Sequence, residues 1–202
     1  MMLVSDLTHF LDMPDDAPAP AQRLARHFAF IVRAATAGGG ATPWTSALPC
    51  RRRPGHRPCP GRIVLAASPP PAPIRWSCSS CDDEGVISNW EGSIYDLRPQ
   101  HLAAVPDTVH EIVLSDEVAA TLRDLIFLDP DCERLVFTMR SHRHGAALAA
   151  SAADVEELSG AVAAEANHEP HRRRQRRLDE AFDALETAAR RLPPDPVSRD
   201  GR

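Results

Sequence analysis

The stretch that decides the fold runs from Leu48 to Trp90 and reads LPCRRRPGHRPCPGRIVLAASPPPAPIRWSCSSCDDEGVISNW. It contains four of the five cysteines of the chain, namely Cys50, Cys59, Cys78 and Cys81. In the Cys78-Ser-Ser-Cys81 pair, the two intervening residues allow both sulfurs to reach one ion from a single tight turn. Outside oxidising compartments, paired cysteines are more often metal ligands than disulfides. The stretch therefore predicts a closed metal site, with Zn²⁺ as the cofactor.

The predicted ligands are Cys59, Cys78, Cys81 and a fourth residue, which is either Cys50 or His56. His56 precedes Cys59 by the spacing of a metal-ligand pair, whereas eight residues separate Cys50 from Cys59. We favour Cys50, because thiolate binds zinc strongly at a closed structural site and because Cys50 would otherwise be an odd free thiol. His56 remains the alternative.

Short strands are predicted around these cysteines, at Trp44–Pro49, Arg62–Ala67 and Ile74–Ser77, with a further strand beginning at Val86. Short strands that flank cysteine turns are typical of a small zinc-binding β domain. Before them, apolar residues at helical spacing predict a helix over Ala19–Ala37, which the glycines at 38–40 end. A short helix is also predicted over Leu3–Leu11.

The C-terminal part has a different texture. A strand is predicted over Val109–Leu114, followed by a helix with Ser115 as its N-cap. Strands over Leu135–Arg140 and Ala146–Ala150 come next, then a helix capped by Ser151 with Asp154 three residues on, and a last helix.

The predicted fold class is therefore α+β, a small β zinc ribbon preceded by an N-terminal helix and followed by a β-α-β-β-α-α segment. The predicted domains are an N-terminal helical segment (1–40), the ribbon (41–98), a C-terminal α+β domain (107–192) and a disordered tail (193–202).

Two segments around the cysteines, RRRPGHRPCPG and WSCSSCDDEGVISNWEG, resemble the zinc-ribbon superfamily. Together with VAAEANHEPHRRRQRRLDEAFDAL, the chain is similar to a group of uncharacterised bacterial proteins that contain such a ribbon. The resemblance implies a zinc-ribbon fold in the middle of the chain and a metal held by Cys50, Cys59, Cys78 and Cys81. It implies no activity. The spacing between Cys50 and Cys59 departs from the usual ribbon knuckle.

Charge is distributed unevenly around the predicted site. From Ala17 to Cys81 there is no acidic residue, although the whole chain carries a net charge of −5. This imbalance indicates an anionic partner. We therefore expect a nucleic-acid-binding or regulatory zinc ribbon, whose contacts are Arg51, Arg52, Arg53, Arg57 and Arg62. The alternative is a protein–protein interaction scaffold in which the zinc is purely structural and the arginines balance thiolate charge. The sequence does not indicate a function for a second arginine run at 171–177.

Enzyme motifs are missing from the sequence. There is no nucleophile–base pair, phosphate-binding loop or cofactor motif, and the run from His168 to His171 has the wrong spacing for a zinc protease. The protein is therefore predicted not to be an enzyme. Asp6 and Asp12 lie where a secretion signal would have its apolar core, so no such signal is predicted. No apolar run has membrane-spanning length. A cytoplasmic location without membrane contact is the expectation.

Overall fold

The structure is a computed structural model that describes residues 2–14, 16–38, 42–67, 71–98 and 108–192. It comprises two compact units, Met1–His101 and Leu102–Arg202. Both units contain helices and strands, which confirms the α+β class. None of the helices in the described ranges combines the length and the apolar character needed to cross a bilayer. The predicted tail at 193–202 lies outside the described residues.

Over its described residues, the N-terminal unit is a five-stranded sheet with one long helix. Its elements are β1 (Met2–Asp6), α1 (Thr8–Leu11), α2 (Ala19–Ala37), β2 (Trp44–Pro49), β3 (Arg62–Ala66), β4 (Ile74–Cys78) and β5 (Glu84–Ser88), with a 3-10 turn at Pro54–His56. The strand order is β1-β5-β4-β3-β2, and β1 alone pairs in parallel. Because β2 to β5 alternate in direction, the β2–β3 connection and the β4–β5 turn lie at the same end of the sheet.

Helix α2 packs against one face of this sheet. Its apolar side chains recur every three or four residues, so Phe28, Ile31 and Val32 point the same way and are fully buried. Alternate strand residues meet them, and the fully buried ones are Ile63, Leu65, Ile74 and Ile87. Burying each such side chain stabilises the fold by about 1.5–3 kcal/mol. The sheet therefore has an apolar core of its own.

The N-terminal strand corrects the prediction of a helix over Leu3–Leu11. Residues Met2–Asp6 form β1, whose five residues pair in register with Glu84–Ser88, and only Thr8–Leu11 is helical. The partner strand is some eighty residues distant in sequence. A local pattern could not reveal this pairing, because the backbone hydrogen bonds to a distant strand override the weak helical preference of a few residues.

Between residues 108 and 192, the C-terminal unit is a three-stranded sheet with four helices. Its elements are β6 (His110–Leu114), α3 (Asp116–Arg123), α4 (Pro130–Thr138), β7 (Arg140–His142), β8 (Gly145–Ala150), α5 (Ala152–His168) and α6 (Arg172–Ala189). The strands are antiparallel in the order β7-β8-β6. The Ser115 side chain caps α3, and Ser151 and Asp154 form a complete capping box on α5, as the sequence predicts.

The segment at Leu135–Arg140 corrects a second prediction, because most of it is helical. Helix α4 starts at Pro130, and the side chain of Asp129 accepts hydrogen bonds from the amides of Asp131 and Cys132. An Asp N-cap followed by Pro at the first helical position is a helix start, although the same residues also resemble a breaker. The observed order is therefore β-α-α-β-β-α-α.

The compact units group the predicted segments as follows. The predicted helical segment (1–40) and the predicted ribbon segment (41–98) both lie in the N-terminal unit, and the 107–192 segment lies in the C-terminal unit.

Candidate metal centre

The four cysteines of the Leu48–Trp90 stretch come from the two connections at one end of the N-terminal sheet. Cys50 follows the last residue of β2, and two residues separate Cys59 from the start of β3. Cys78 is the last residue of β4, and Cys81 lies in the turn that leads into β5. The antiparallel register places Cys78 opposite Ile63, next to the start of β3. The strand directions and the register therefore bring two sulfurs from each connection to the same end of the sheet.

The four sulfurs lie close together. Cys50 Sγ is 3.8 Å from Cys81 Sγ, and Cys59 Sγ is 3.7 Å from Cys78 Sγ. All four Sγ atoms lie within 4.8 Å of one another. A disulfide needs a separation of about 2.05 Å, so these are free thiols. The cluster is compatible with a metal ion at its centre.

Backbone amides point at three of the four sulfurs. The N–H groups of Arg52, Gly61 and Ser80 donate to the sulfurs of Cys50, Cys59 and Cys78, each across 3.4 Å. In every case the donor lies two residues after the cysteine. Such donors stabilise the anionic form of a thiol, which is the form that binds a metal.

The two connections are also hydrogen-bonded to each other. The amide of Ser79 donates to the carbonyl of Arg62 across 2.9 Å, and the amide of Arg62 donates to the hydroxyl of Ser79 across 2.9 Å. Gly61 lies between them with no room for a side chain, because a Cβ there would be 2.3 Å from Cys78 Sγ. Glycine at this position is therefore a condition for the approach of the two cysteine pairs.

An ion pair spans the same two connections. Arg51 Nη2 is 3.3 Å from Asp83 Oδ1, and only 5% of the Asp83 side chain is exposed. The other oxygen, Oδ2, is 3.9 Å from Cys50 Sγ. Arg51 thus places a positive charge beside the thiol cluster while it neutralises a buried carboxylate.

Burial raises the pKa of the Cys50 thiol well above its ordinary value, and the neighbouring sulfurs of Cys78 and Cys81 raise it further. Four sulfurs packed this closely repel one another as thiolates. A cation in their midst removes both penalties, because it compensates for the lost solvation and for the repulsion. The electrostatics of the cluster therefore favour a bound cation.

His56 and the predicted arginines lie around this centre without entering it. His56 is exposed on the 3-10 turn and is not among the four grouped ligands. Arg62 donates to the carbonyl of Ala47 across 3.1 Å, so it holds the strand ends together. Arg52, Arg53 and Arg57 are exposed. Within the described ranges, the side chains of these three arginines form no ion pair.

Two of the three tryptophans are part of the core. Trp76 and Trp90 are each 3% exposed, and the indole N–H of Trp90 donates to the carbonyl of Ala72. Trp76 packs edge-on against His27 of α2, with ring centroids 5.7 Å apart. Burial lowers the pKa of His27 to about 4, and the charge of Arg51 adds to this effect. Trp76 and Trp90 are therefore unable to stack on an external ligand.

A second group of potential ligands lies in the C-terminal unit, at Asp129, Cys132 and Glu157. Two of its members have structural roles, and the third is exposed to solvent. Asp129 caps α4, Cys132 is fully buried, and Glu157 is exposed. In the arginine run at 171–177, Arg174 forms ion pairs with Glu165 and Glu169, whereas its arginine neighbours are exposed.

Sequence reasoning missed Gly61, Asp83 and His27 as contributors to this end of the sheet. The Cys-Pro-Gly run at 59–61 is a usable signal for Gly61, since glycine beside a ligand indicates close backbone approach. No signal separates Asp83 from its acidic neighbours Asp82 and Glu84, because only the turn geometry decides which carboxylate is buried.

Comparison with models of protein families, with curated proteins and with solved structures yields no match for this chain.

Proposed function

We propose that the protein binds one Zn²⁺ per chain through Cys50, Cys59, Cys78 and Cys81. The observation that carries this proposal is the pair of sulfur separations, 3.8 and 3.7 Å. Four Zn–S bonds of about 2.3 Å that point to the corners of a tetrahedron place neighbouring sulfurs about 3.8 Å apart. These two separations match those expected between neighbouring sulfurs of a zinc tetrathiolate.

Iron is the other metal that takes four thiolates in a tetrahedron. Elemental analysis of the purified full chain separates the two metals. We expect one zinc per chain and no visible absorption, whereas an iron tetrathiolate is coloured. A folded, metal-free preparation with four reactive thiols would contradict the proposal.

The proposed zinc is structural. A catalytic zinc keeps one position for water, and four cysteine ligands occupy every position of a tetrahedral ion. Such a centre cross-links the β2–β3 connection to the β4–β5 turn. We take this cross-link as support for a zinc ribbon, the fold that the resemblance of the sequence implies, and for a binding module rather than an enzyme.

The module is proposed to bind nucleic acid through the 3-10 turn between Cys50 and Cys59. The supporting observation is that Arg52, Arg53 and Arg57 are exposed. They lie in the segment whose two ends, Cys50 and Cys59, belong to the proposed metal site. Phosphate contacts require exposed guanidinium groups that are not already paired. Arg51 and Arg62 contact Asp83 and Ala47, so the proposal rests mainly on the other three predicted arginines.

A salt-dependent titration tests this contact. We expect a fluorescently labelled single-stranded oligonucleotide to bind the zinc-loaded chain with a logarithmic salt slope of about −2, the value for three phosphate contacts to a single strand. Replacing Arg52, Arg53 and Arg57 with Ala should abolish most of that slope. The matched control replaces Arg172, Arg173 and Arg177, which are exposed on α6. Equal losses from both triple variants would mean that only net charge matters.

A protein–protein interaction role is the second candidate, and charge balance favours it. Six arginines lie between Cys50 and Glu84, together with three carboxylates. A zinc ion with four thiolates contributes a net charge of about −2, so the excess is only about one positive charge. If the oligonucleotide does not bind at low salt, the arginines serve to balance the centre, and the protein-interaction role is the one that remains.

A further inference from the structure

Strand β6 of the C-terminal unit has an edge that no other described strand covers. It pairs with β8 on one side over five consecutive residue pairs, and it is the last strand in its sheet. Natural edge strands are usually protected by Pro, by charged side chains (Lys above all), by a bulge, or by a covering helix or loop. The sequence His-Glu-Ile-Val-Leu contains neither Pro nor Lys, and its register with β8 is unbroken. Val113 is 44% exposed on this strand.

A groove runs between this edge and the C-terminal half of α6. Its volume is about 570 Å³, and its walls include Ile112, Leu114, Val118, Ala184 and Ala188. Ile112 and Leu114 point toward the interior, whereas Glu111 and Val113 point to the exposed face. An added strand could therefore pair with the β6 backbone and direct its alternate apolar side chains into the groove.

The β6 sequence is complementary to itself in one antiparallel register. With a two-fold axis at Ile112, Ile112 faces its own copy, His110 faces Leu114, and Glu111 faces Val113. All five residues are paired, and no carboxylate faces another. In an antiparallel pair, residues that lie opposite each other point to the same face of the sheet. The two-fold axis must therefore pass through a residue and cannot lie between two residues. An axis at Glu111 would oppose two carboxylates, and an axis at Val113 would leave His110 and Glu111 without a partner residue.

We propose that the protein forms a homodimer in which the β6 strands of two chains pair antiparallel across a two-fold axis at Ile112. The merged sheet places the Ile112 side chain of each chain against the groove of the other. This contact satisfies the backbone groups along both edges and covers both grooves. It is independent of the metal centre and of the arginine turn, which lie in the other unit.

The mass of the full chain in solution tests the proposal. Analytical ultracentrifugation over a range of concentrations should give about twice the chain mass of 22.1 kDa for the wild type. Val113→Glu places a carboxylate opposite Glu111 at two symmetric positions, whereas Val113→Lys places an ammonium group there. Like charges in opposed positions are unfavourable and opposite charges are favourable. We expect the dimer Kd of Val113→Glu to exceed that of Val113→Lys by at least about tenfold.

The two variants differ only in the sign of one exposed charge, so loss of folding does not explain a difference between them. The double variant Glu111→Lys with Val113→Glu restores opposite charges and should recover the dimer. Circular dichroism of each variant checks that the C-terminal unit is folded. A monomeric wild type at all concentrations overturns the proposal. Equal weakening by Glu and Lys also overturns it, because that result indicates apolar association without this register.

Discussion

The two units stabilise their small sheets in different ways. In the N-terminal unit, the helix covers the middle of the sheet, and the thiol cluster closes one end. In the C-terminal unit, the side chains of Ser115, Asp129 and Ser151 cap the starts of α3, α4 and α5, and apolar packing supplies the remaining stability. The difference concerns a long connection with little regular structure. The twelve residues from Cys50 to Gly61 contain only one short 3-10 turn, so this connection depends on the thiol cluster at its ends.

Metal removal should produce the largest contrast between the units. Zinc at about 1,000 times its Kd contributes about 4 kcal/mol to folding, which corresponds to a shift in Tm of about 16–32 °C for a unit of this size. Cys78→Ser should therefore lower the Tm of the N-terminal unit by about 20 °C and leave the C-terminal unit unchanged.

The chain provides a separate probe for each unit. Trp44, Trp76 and Trp90 all lie in the N-terminal unit, so tryptophan fluorescence reports on that unit alone. Most helical residues lie in the C-terminal unit, so circular dichroism at 222 nm mainly reports on the C-terminal unit. Cys132→Ser removes a thiol outside the cluster and is the control for zinc content. If Cys78→Ser lowers both transitions equally, the zinc is not a local cross-link.

Gly61→Ala should have the next largest effect. The added Cβ would lie 2.3 Å from Cys78 Sγ and 3.0 Å from the backbone nitrogen of Ser80, so the two connections must separate. We expect a loss of about 2–3 kcal/mol, in the range of overpacked sites, and faster zinc transfer to a competing chelator.

The matched control for this variant lies in the other unit. In Gly160→Ala, the Cβ has no neighbour within 4 Å on helix α5, and Ala favours a helix interior over Gly by up to about 1 kcal/mol. This control should raise the Tm of the C-terminal unit slightly. If Gly61→Ala binds zinc as tightly as the wild type, the close approach of the connections is not required.

Acid should weaken the N-terminal unit through His27. The pKa of His27 is about 4 in the folded chain and about 6.5 in the unfolded chain, so the unfolded state binds more protons between these values. Stability is therefore complete above pH 6.5 and is lost as the pH falls toward 4. Linkage gives a loss of about 2 kcal/mol between pH 8 and pH 5.

Acid also protonates thiolates and releases zinc, so the wild type must be compared with His27→Phe. Phenylalanine keeps an aromatic ring against Trp76 but does not titrate. Denaturant unfolding followed by tryptophan fluorescence, at pH 8 and pH 5 with excess zinc, gives the difference between the two proteins. Identical pH dependence in both would show that His27 is not buried in its neutral form.

The sequence predicted the features that depend on neighbours along the chain. The strands β2, β3 and β4 and helix α2 follow from alternation and from three-to-four spacing. The α5 capping box follows from Ser151 and Asp154. The Cys78–Cys81 pair was recognisable from its two-residue spacing, whereas Cys50 and Cys59 are separated by eight residues and are a weaker signal. Each of these signals lies within a few residues of the element that it defines.

Other features depend on distant contacts, and the sequence did not reveal them. Strand β1 is defined by its pairing with β5, and the burial of Asp83 is defined by Arg51 from the other connection. Helix α4 was misread although its signals are local. Leu135, Phe137 and Met139 alternate like a strand, while the buried set Cys132, Val136 and Phe137 follows helical spacing. Only the cap at Asp129 distinguishes the two interpretations.

The smallest expected effect concerns the capping box of α5. In Ser151→Ala, the amide of Asp154 loses the hydroxyl that accepts its hydrogen bond at 3.1 Å. Ser151 is 2% exposed, so water does not easily replace this acceptor. We expect the C-terminal unit to lose about 1 kcal/mol, measured by circular dichroism, with no change in tryptophan fluorescence or zinc content. Ser151→Asn retains an acceptor and should recover most of the loss. An equal loss in the N-terminal unit would show that the two units unfold together, and the contrast between a metal-closed sheet and a capped one would then describe only local structure.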